Sequence, residues 1–168
     1  MPIVKKQSLD IYGSTFSVWP SASLSVDGAT RHLGEAVAIQ VAGRARALFY
    51  GPYIELEPSV WRAKFSLTLD SDACIYSYRI EWGSGDHFNS VALQPSLEGT
   101  YEVDITYGLE EAVPWELRVI VTEGALAGEL TISDIQVSGG PFAGAGEGAG
   151  DGAVEVGADP AGGVDQGV

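Results

Sequence analysis

Cationic residues, sulfur and imidazole are all scarce in this chain, and each scarcity closes off a class of function. Its 168 residues carry nine Lys and Arg against 23 Asp and Glu, a formal net charge of −14. Nucleic-acid binding draws most of its free energy from Lys and Arg set against phosphates, so this surface repels such a partner. The three lysines (Lys5, Lys6, Lys64) and six arginines are scattered rather than gathered in a stripe, which also argues against attachment to an anionic membrane. A neutral ligand, a cation or a protein partner fits the charge better. Cys74 is the single cysteine; no intramolecular disulfide can form, and packing must hold the domain, as a reducing cytoplasm would require. No segment approaches the roughly 20 apolar residues of a membrane helix. Residues Met1 to Gln7 lack the basic start and apolar run of a secretory signal. The expectation is a soluble chain, cytoplasmic by default, without membrane insertion.

Catalytic patterns are equally thin. The nearest approach to the Gly-x-Ser-x-Gly elbow of a serine hydrolase is Gly83-Ser84-Gly85, which lacks the spacing. His32 and His87 are the only histidines, so relays and histidine-rich metal sites have few possible members. Asp86-His87 could orient a base, but an adjacent pair in a loop is ordinarily solvated. Neither a phosphate-binding loop nor a dinucleotide fingerprint occurs. Pairs such as Asp70/Asp72, Glu55/Glu57 and Glu110/Glu111 could serve glycoside hydrolysis, yet among 23 acids pairs arise by chance.

What is abundant is alternation. In Trp61-Arg62-Ala63-Lys64-Phe65-Ser66-Leu67-Thr68-Leu69 the odd positions are apolar and the even ones polar, the period of a strand with one buried face. The same pattern recurs in Tyr76 to Trp82, Tyr101 to Tyr107 and Trp115 to Val121. Weaker runs occupy Ile3 to Lys5, Phe16 to Trp19, Leu24 to Val26, Val37 to Val41 and Ala47 to Glu55. Helix is confined to a turn or two near Leu109 to Ala112. Turn signals such as Asp27-Gly28, Gly83-Ser84-Gly85-Asp86 and Glu123-Gly124 divide the runs. A hairpin of Trp61 to Leu69 with Tyr76 to Trp82 would set Phe65 against Ile80, Leu67 against Tyr78, and Lys64 beside Glu81. In Leu130 to Val137 the period slips by one at Ser133-Asp134, as a bulge would make it do. Residues 1–140 thus predict an all-β domain, a two-sheet antiparallel β-sandwich, with a jelly roll preferred over an immunoglobulin-like sandwich that would want a cysteine pair. From Pro141 to Val168 the chain is almost entirely Gly, Ala, Val and acids, too poor in apolar area to offset chain entropy, and reads as a disordered, flexible tail.

The segment Tyr50-Gly51-Pro52-Tyr53-Ile54-Glu55-Leu56, followed by a turn and Trp61-Arg62-Ala63-Lys64-Phe65, resembles the galactose-binding-domain-like jelly rolls of carbohydrate-binding modules. The likeness covers about Leu24 to Ser138 and includes a closing strand similar to Leu130 to Val137; it departs at Pro58-Ser59-Val60, where the family's turn usually contains glycine. The resemblance implies a non-catalytic sugar-binding accessory domain of bacterial proteins that build or modify surface polysaccharide. It also implies a structural Ca²⁺, whose oxygen ligands would be sought at Asp27, Glu35 and Asp134; otherwise no cofactor is expected.

A sugar offers apolar C–H faces to flat rings and hydroxyls to fixed polar groups, so its site needs exposed aromatics beside polar side chains. Trp61, Trp82, Trp115, Tyr78, Tyr101 and Tyr107 lie on the apolar phase of clear strands and belong to the core. Rings that flank turns are the candidates: Trp19 before Pro20, Tyr50 and Tyr53 around Gly51-Pro52, and Phe88 with Asn89 beside it. Tyr50 and Tyr53 lead, because Gly51-Pro52 should break the strand and turn one ring outward. The alternatives are a protein–protein interaction or assembly module, oligomeric through an outer sheet, and a small glycan-active enzyme with Asp86, His87 and a carboxylate in a deep pocket.

Overall fold

The alternation of Trp61 to Leu69 becomes alternating burial, with every apolar side chain buried and every polar one exposed or half-buried. The computed structural model describes residues 8–9, 15–140 and 158–159. Its strands are β1 (Ser8–Leu9), β2 (Thr15–Trp19), β3 (Ser25–Val26), β4 (Thr30–Leu33), β5 (Ala36–Gln40), β6 (Arg46–Leu56) and β7 (Ser59–Leu69). They continue with β8 (Tyr78–Ser84), β9 (His87–Leu93), β10 (Gly99–Leu109), β11 (Val113–Val121), β12 (Glu129–Ile132), β13 (Ile135–Gly140) and β14 (Ala158–Asp159). Among the described residues the only helical turns are 3₁₀ turns at Ser21–Ser23 and Ala73–Ile75, so the turn expected near Leu109 to Ala112 is absent and β10 runs through to Leu109.

All pairings are antiparallel, in two sheets. The larger is built on β7, which pairs with β10 from Leu69↔Gly99 to Ser59↔Leu109, and on its other side with β12 and then β13. β5 and β4 extend from β12, β2 and β1 from β13, and β14 from β10. The smaller sheet has the order β3-β6-β11-β8-β9. From β5 to β8 every connection changes sheet, the habit of a jelly roll rather than of successive hairpins. The tail assignment for 141–168 lies outside the described residues except at Ala158–Asp159, which pair with Tyr101 and Thr100; the weak run Ile3 to Lys5 lies outside them as well.

Two register expectations part company here. Ile132 faces Leu67 and Gln136 faces Lys64, so four steps on one strand match three on the other, and the bulge falls at Ser133-Asp134 as the slip in period indicates. The hairpin between Trp61 to Leu69 and Tyr76 to Trp82 does not form: β7 lies in one sheet and β8 in the other. Asp70 turns the corner, its Oδ1 accepting the amides of Asp72, Ala73 and Glu129, and the 3₁₀ turn carries the chain across the sandwich. Lys64 consequently faces Asp104 and Gln136, not Glu81. Alternation states which face of a strand is dry; it is silent about which strand lies beside it.

Between the sheets lies one hydrophobic core that includes Trp61, Tyr78, Trp82, Tyr101 and Trp115, with Tyr107 half-buried against it. The indoles of Trp19 and Trp82 approach to 5.5 Å across the sandwich, Trp82 and Trp115 to 4.9 Å, and Tyr107 meets Trp115 edge-on at 6.2 Å. Trp82 Nε1 donates to the Trp61 carbonyl at 3.0 Å, a buried hydrogen bond joining one sheet to the other. Trp19, a candidate ligand ring by its place before Pro20, is fully buried in this cluster and offers no face to a sugar: the strand's alternation outweighs the turn that follows it.

Tyr78 donates to the Ala73 carbonyl at 2.7 Å, and burial, reinforced by Asp70, pushes its phenol well above its ordinary value. The fold therefore keeps this proton where the unfolded chain releases it, and stability should decline as pH rises above the ordinary tyrosine value of about 10. Urea unfolding from pH 8 to 11 should show that decline, and Tyr78→Phe should make it shallower while costing about 1 kcal/mol at neutral pH. Parallel pH profiles for the two proteins would contradict this assignment.

Candidate functional site on the outer face of the smaller sheet

The site begins with an irregularity in β6. Glu116 pairs with Pro52 while Trp115 pairs with Ile54, so Tyr53 is an extra residue with no partner on β11. It has φ of 67°, a left-handed conformation that costs a residue with a Cβ on the order of 1 kcal/mol or more. Gly51-Pro52 does not break the strand as the sequence suggested: β6 continues through it to Leu56, and the irregularity is a bulge. The bulge lets two successive residues share the outer face, and Tyr53 stands there 52% exposed while Tyr50 is half-buried.

Cross-strand registry then lays out two rows. One runs Pro52, Glu116, Gly83, Phe88 across β6, β11, β8 and β9; the next runs Tyr50, Arg118, Glu81, Ser90. Arg118 ties the rows together. Its Nη1 donates to Glu81 Oε1 and its Nη2 to Glu116 Oε2, both at 2.6 Å, while Arg79 Nε donates to Glu81 Oε2 at 3.0 Å. The guanidinium carbon also lies 5.3 Å from the centre of the Phe88 ring, a cation–π contact. At Gly83 the row has no side chain, and a Cβ there would collide with the backbone of His87 and Phe88.

The electrostatics follow from burial. Glu81 and Glu116 are buried carboxylates, tolerable because each meets a guanidinium. Glu116, above all other groups, keeps the Arg118 guanidinium charged by raising its pKa. Glu116 Oε1 is buried without a hydrogen bond. The Tyr53 phenol is raised from its ordinary value by burial first and by the neighbouring Glu116 carboxylate second, so the ring is neutral at physiological pH.

The structure thus brings Tyr50, Tyr53 and Phe88 onto one face and separates the other sequence candidates from it. Asn89 faces the opposite way, beside Trp82, and spends its Nδ2 on the Thr106 carbonyl at 2.9 Å. The oxygens proposed for Ca²⁺ are engaged elsewhere: Asp27 lies against Arg46 and Arg44 at 3.7 and 4.0 Å, and Asp134 Oδ1 accepts the Ser21 amide. The Glu35 carbonyl accepts the Ser21 hydroxyl. Among the described residues no three acid, histidine or cysteine side chains gather as metal ligands, so this set does not fit the ion. His87 lines an open cleft of about 230 Å³ with Ser84, Leu109, Glu110, Glu111 and Val113. Asp86 is not in that lining, and among the described residues no side-chain hydrogen bond joins Ser84, His87 and either glutamate.

Sequence reasoning missed Glu81, Glu116 and Arg118 as site residues. The signal was present in Trp115-Glu116-Leu117-Arg118-Val119, where an acid and a base two apart on a half-buried strand must share its outer face; the partner of Arg118 on β8 was hidden by the wrong pairing of Glu81. Arg118→Ala leaves two buried carboxylates without their main counter-charge. It should lower unfolding stability by about 3 kcal/mol, the low end for a buried pair because Arg118 keeps some contact with water; urea titration measures it, and a loss under about 1 kcal/mol would show the carboxylates to be compensated by other groups.

No family model matches the sequence, and no curated protein matches it. Among solved structures the chain is similar to the glycosylation associate protein (Gap123) complex from Streptococcus agalactiae, at 10% identity and a TM-score of 0.49, over 76% of this chain and 26% of that one. The chain therefore spans about a quarter of that relative's length. It is also similar to TmCBM61 in complex with β-1,4-galactotriose, at 16% identity and a TM-score of 0.43, over 79% of this chain and 86% of that one. The all-β two-sheet sandwich itself stands on the strand pairing.

Proposed function

We propose that this protein is a non-catalytic carbohydrate-binding module that receives a glycan on the outer face of β3-β6-β11-β8-β9. The observation that carries the reading is Tyr53: a neutral, half-exposed ring held out by a strained bulge, beside a fixed array of hydrogen-bonding groups. Rings take the apolar faces of a sugar while the partly exposed guanidiniums of Arg79 and Arg118 address its hydroxyls. An accessory place beside machinery that makes or modifies surface polysaccharide is the finer form of this proposal, and it comes from the resemblance of the Tyr50 to Phe65 segment alone. Glycan-array screening followed by calorimetric titration should find at least one neutral glycan bound, with affinity reduced about tenfold in Tyr53→Ala and the fold unchanged by circular dichroism. A folded wild-type protein that binds nothing on the array would remove the proposal.

A protein–protein or assembly role is the second reading, and a separate surface favours it. Ile75, Leu97 and Leu126 are 68, 60 and 91% exposed. They belong to one end of the sandwich: the Leu126 amide donates to the Tyr76 hydroxyl, and Glu98 lies near enough to Cys74 to add to the rise that burial causes in its thiol pKa. Large exposed apolar groups clustered in this way mark contact sites. Light scattering should then show a concentration-dependent oligomer that Leu126→Asp dissolves; a monomer at every concentration favours the sugar reading alone.

A further inference from the structure

We infer that the ligand is an uncharged oligosaccharide of about three units lying across the strands, bridging Tyr53 on β6 and Phe88 on β9, rather than a single sugar or an acidic glycan. This rests on the carbohydrate reading above and adds the size, direction and charge of what is bound.

Direction and size come from the registry. Pro52, Glu116, Gly83 and Phe88 are successive partners, so Tyr53 and Phe88 stand at the two ends of one cross-strand row. Three strand spacings separate β6 from β9, roughly 14 Å. One pyranose ring cannot touch both aromatics, whereas a short oligosaccharide can. In the middle of the row Gly83 carries no side chain, and the place of a Cβ is taken by His87 and Phe88 of the adjacent strand. Rings at both ends of a row with polar neighbours suit a polymer whose every unit repeats an apolar face and a set of hydroxyls. The neighbouring row supplies polar groups along the same line, from Arg118 and Glu81 to the exposed Ser90.

Charge comes from the floor. Arg79 is bound to Glu81 and Arg118 to both Glu81 and Glu116, so the two guanidiniums of this face are matched by two carboxylates among the described residues. A uronic acid, sulfate or phosphate on the ligand would meet these fixed carboxylates within a chain of net charge −14.

The test is a length series: β-1,4-linked glucose and galactose oligomers of one to five units, with an oligogalacturonate of matched length, titrated calorimetrically against the full chain. Affinity for at least one neutral series should rise roughly tenfold between one and three units and then level off. Phe88→Leu, which keeps apolar packing under Arg118 without a flat ring, should abolish that rise while leaving single-unit binding, and Tyr53→Ala should weaken every length. Equal affinity for one and three units overturns the bridging geometry while the sugar site stands, as does a rise that survives Phe88→Leu. Tighter binding of the oligogalacturonate overturns the neutral ligand. Binding of none of these overturns the inference and the carbohydrate reading together.

Discussion

Contact between tryptophans across the sandwich is the constraint on which the remaining structure depends. Trp19 comes from one sheet and Trp82 and Trp115 from the other, and the Trp82 indole N–H reaches the Trp61 carbonyl opposite. A chain without a disulfide and with this excess of like charge has to hold its layers together by packing, and large rings supply the most buried area per residue. Because the side-chain period of a strand is two, fixing Trp82 and Trp115 inward fixes Glu81, Gly83, Glu116 and the groups beyond them outward. The polar face is the obverse of the core, made by the same residues' neighbours.

That face would be a liability if it were only a set of buried acids. Glu81 and Glu116 are taken out of water in a molecule already rich in carboxylates, a costly placement unless counter-charges are held in contact. Arg118 meets both and rests against Phe88, so its long side chain is fixed at several points before any ligand arrives. Rigid polar groups and rings lose little freedom on binding, which is what the proposed glycan ligand would require of this face.

Much of this was readable in the amino-acid order and part of it was not. Burial of Trp61, Phe65, Leu67, Ile80, Val103 and Leu117 follows from local alternation, and so does the bulge at Ser133-Asp134. Gly51-Pro52 marked the irregular place but not its form, since β6 bulges there instead of breaking. Strand neighbours were not legible: β7 and β8 alternate equally well and still belong to different sheets. Strand β9 escaped notice because Asn89 occupies an inward position, made tolerable only by its bond to a carbonyl distant in sequence. The ion-pair network was hidden for the same reason as the strand neighbours, since it depends on β11 lying beside β8, which sequence order does not bring together. Trp19 shows the converse error, in which a nearby proline suggested exposure while the strand's phase buried the ring.

The additional residue in β6 has one more implication. Tyr53 has no partner on β11, yet Leu117 on one side of it and Trp115 on the other keep their inward positions opposite Gly51 and Ile54. The aromatic display is therefore uncoupled from the phase of the interior: chain length or residue type at that single protrusion can vary without shifting any apolar group into water. Such a scaffold could diversify what it recognises by editing a protrusion, leaving its architecture untouched.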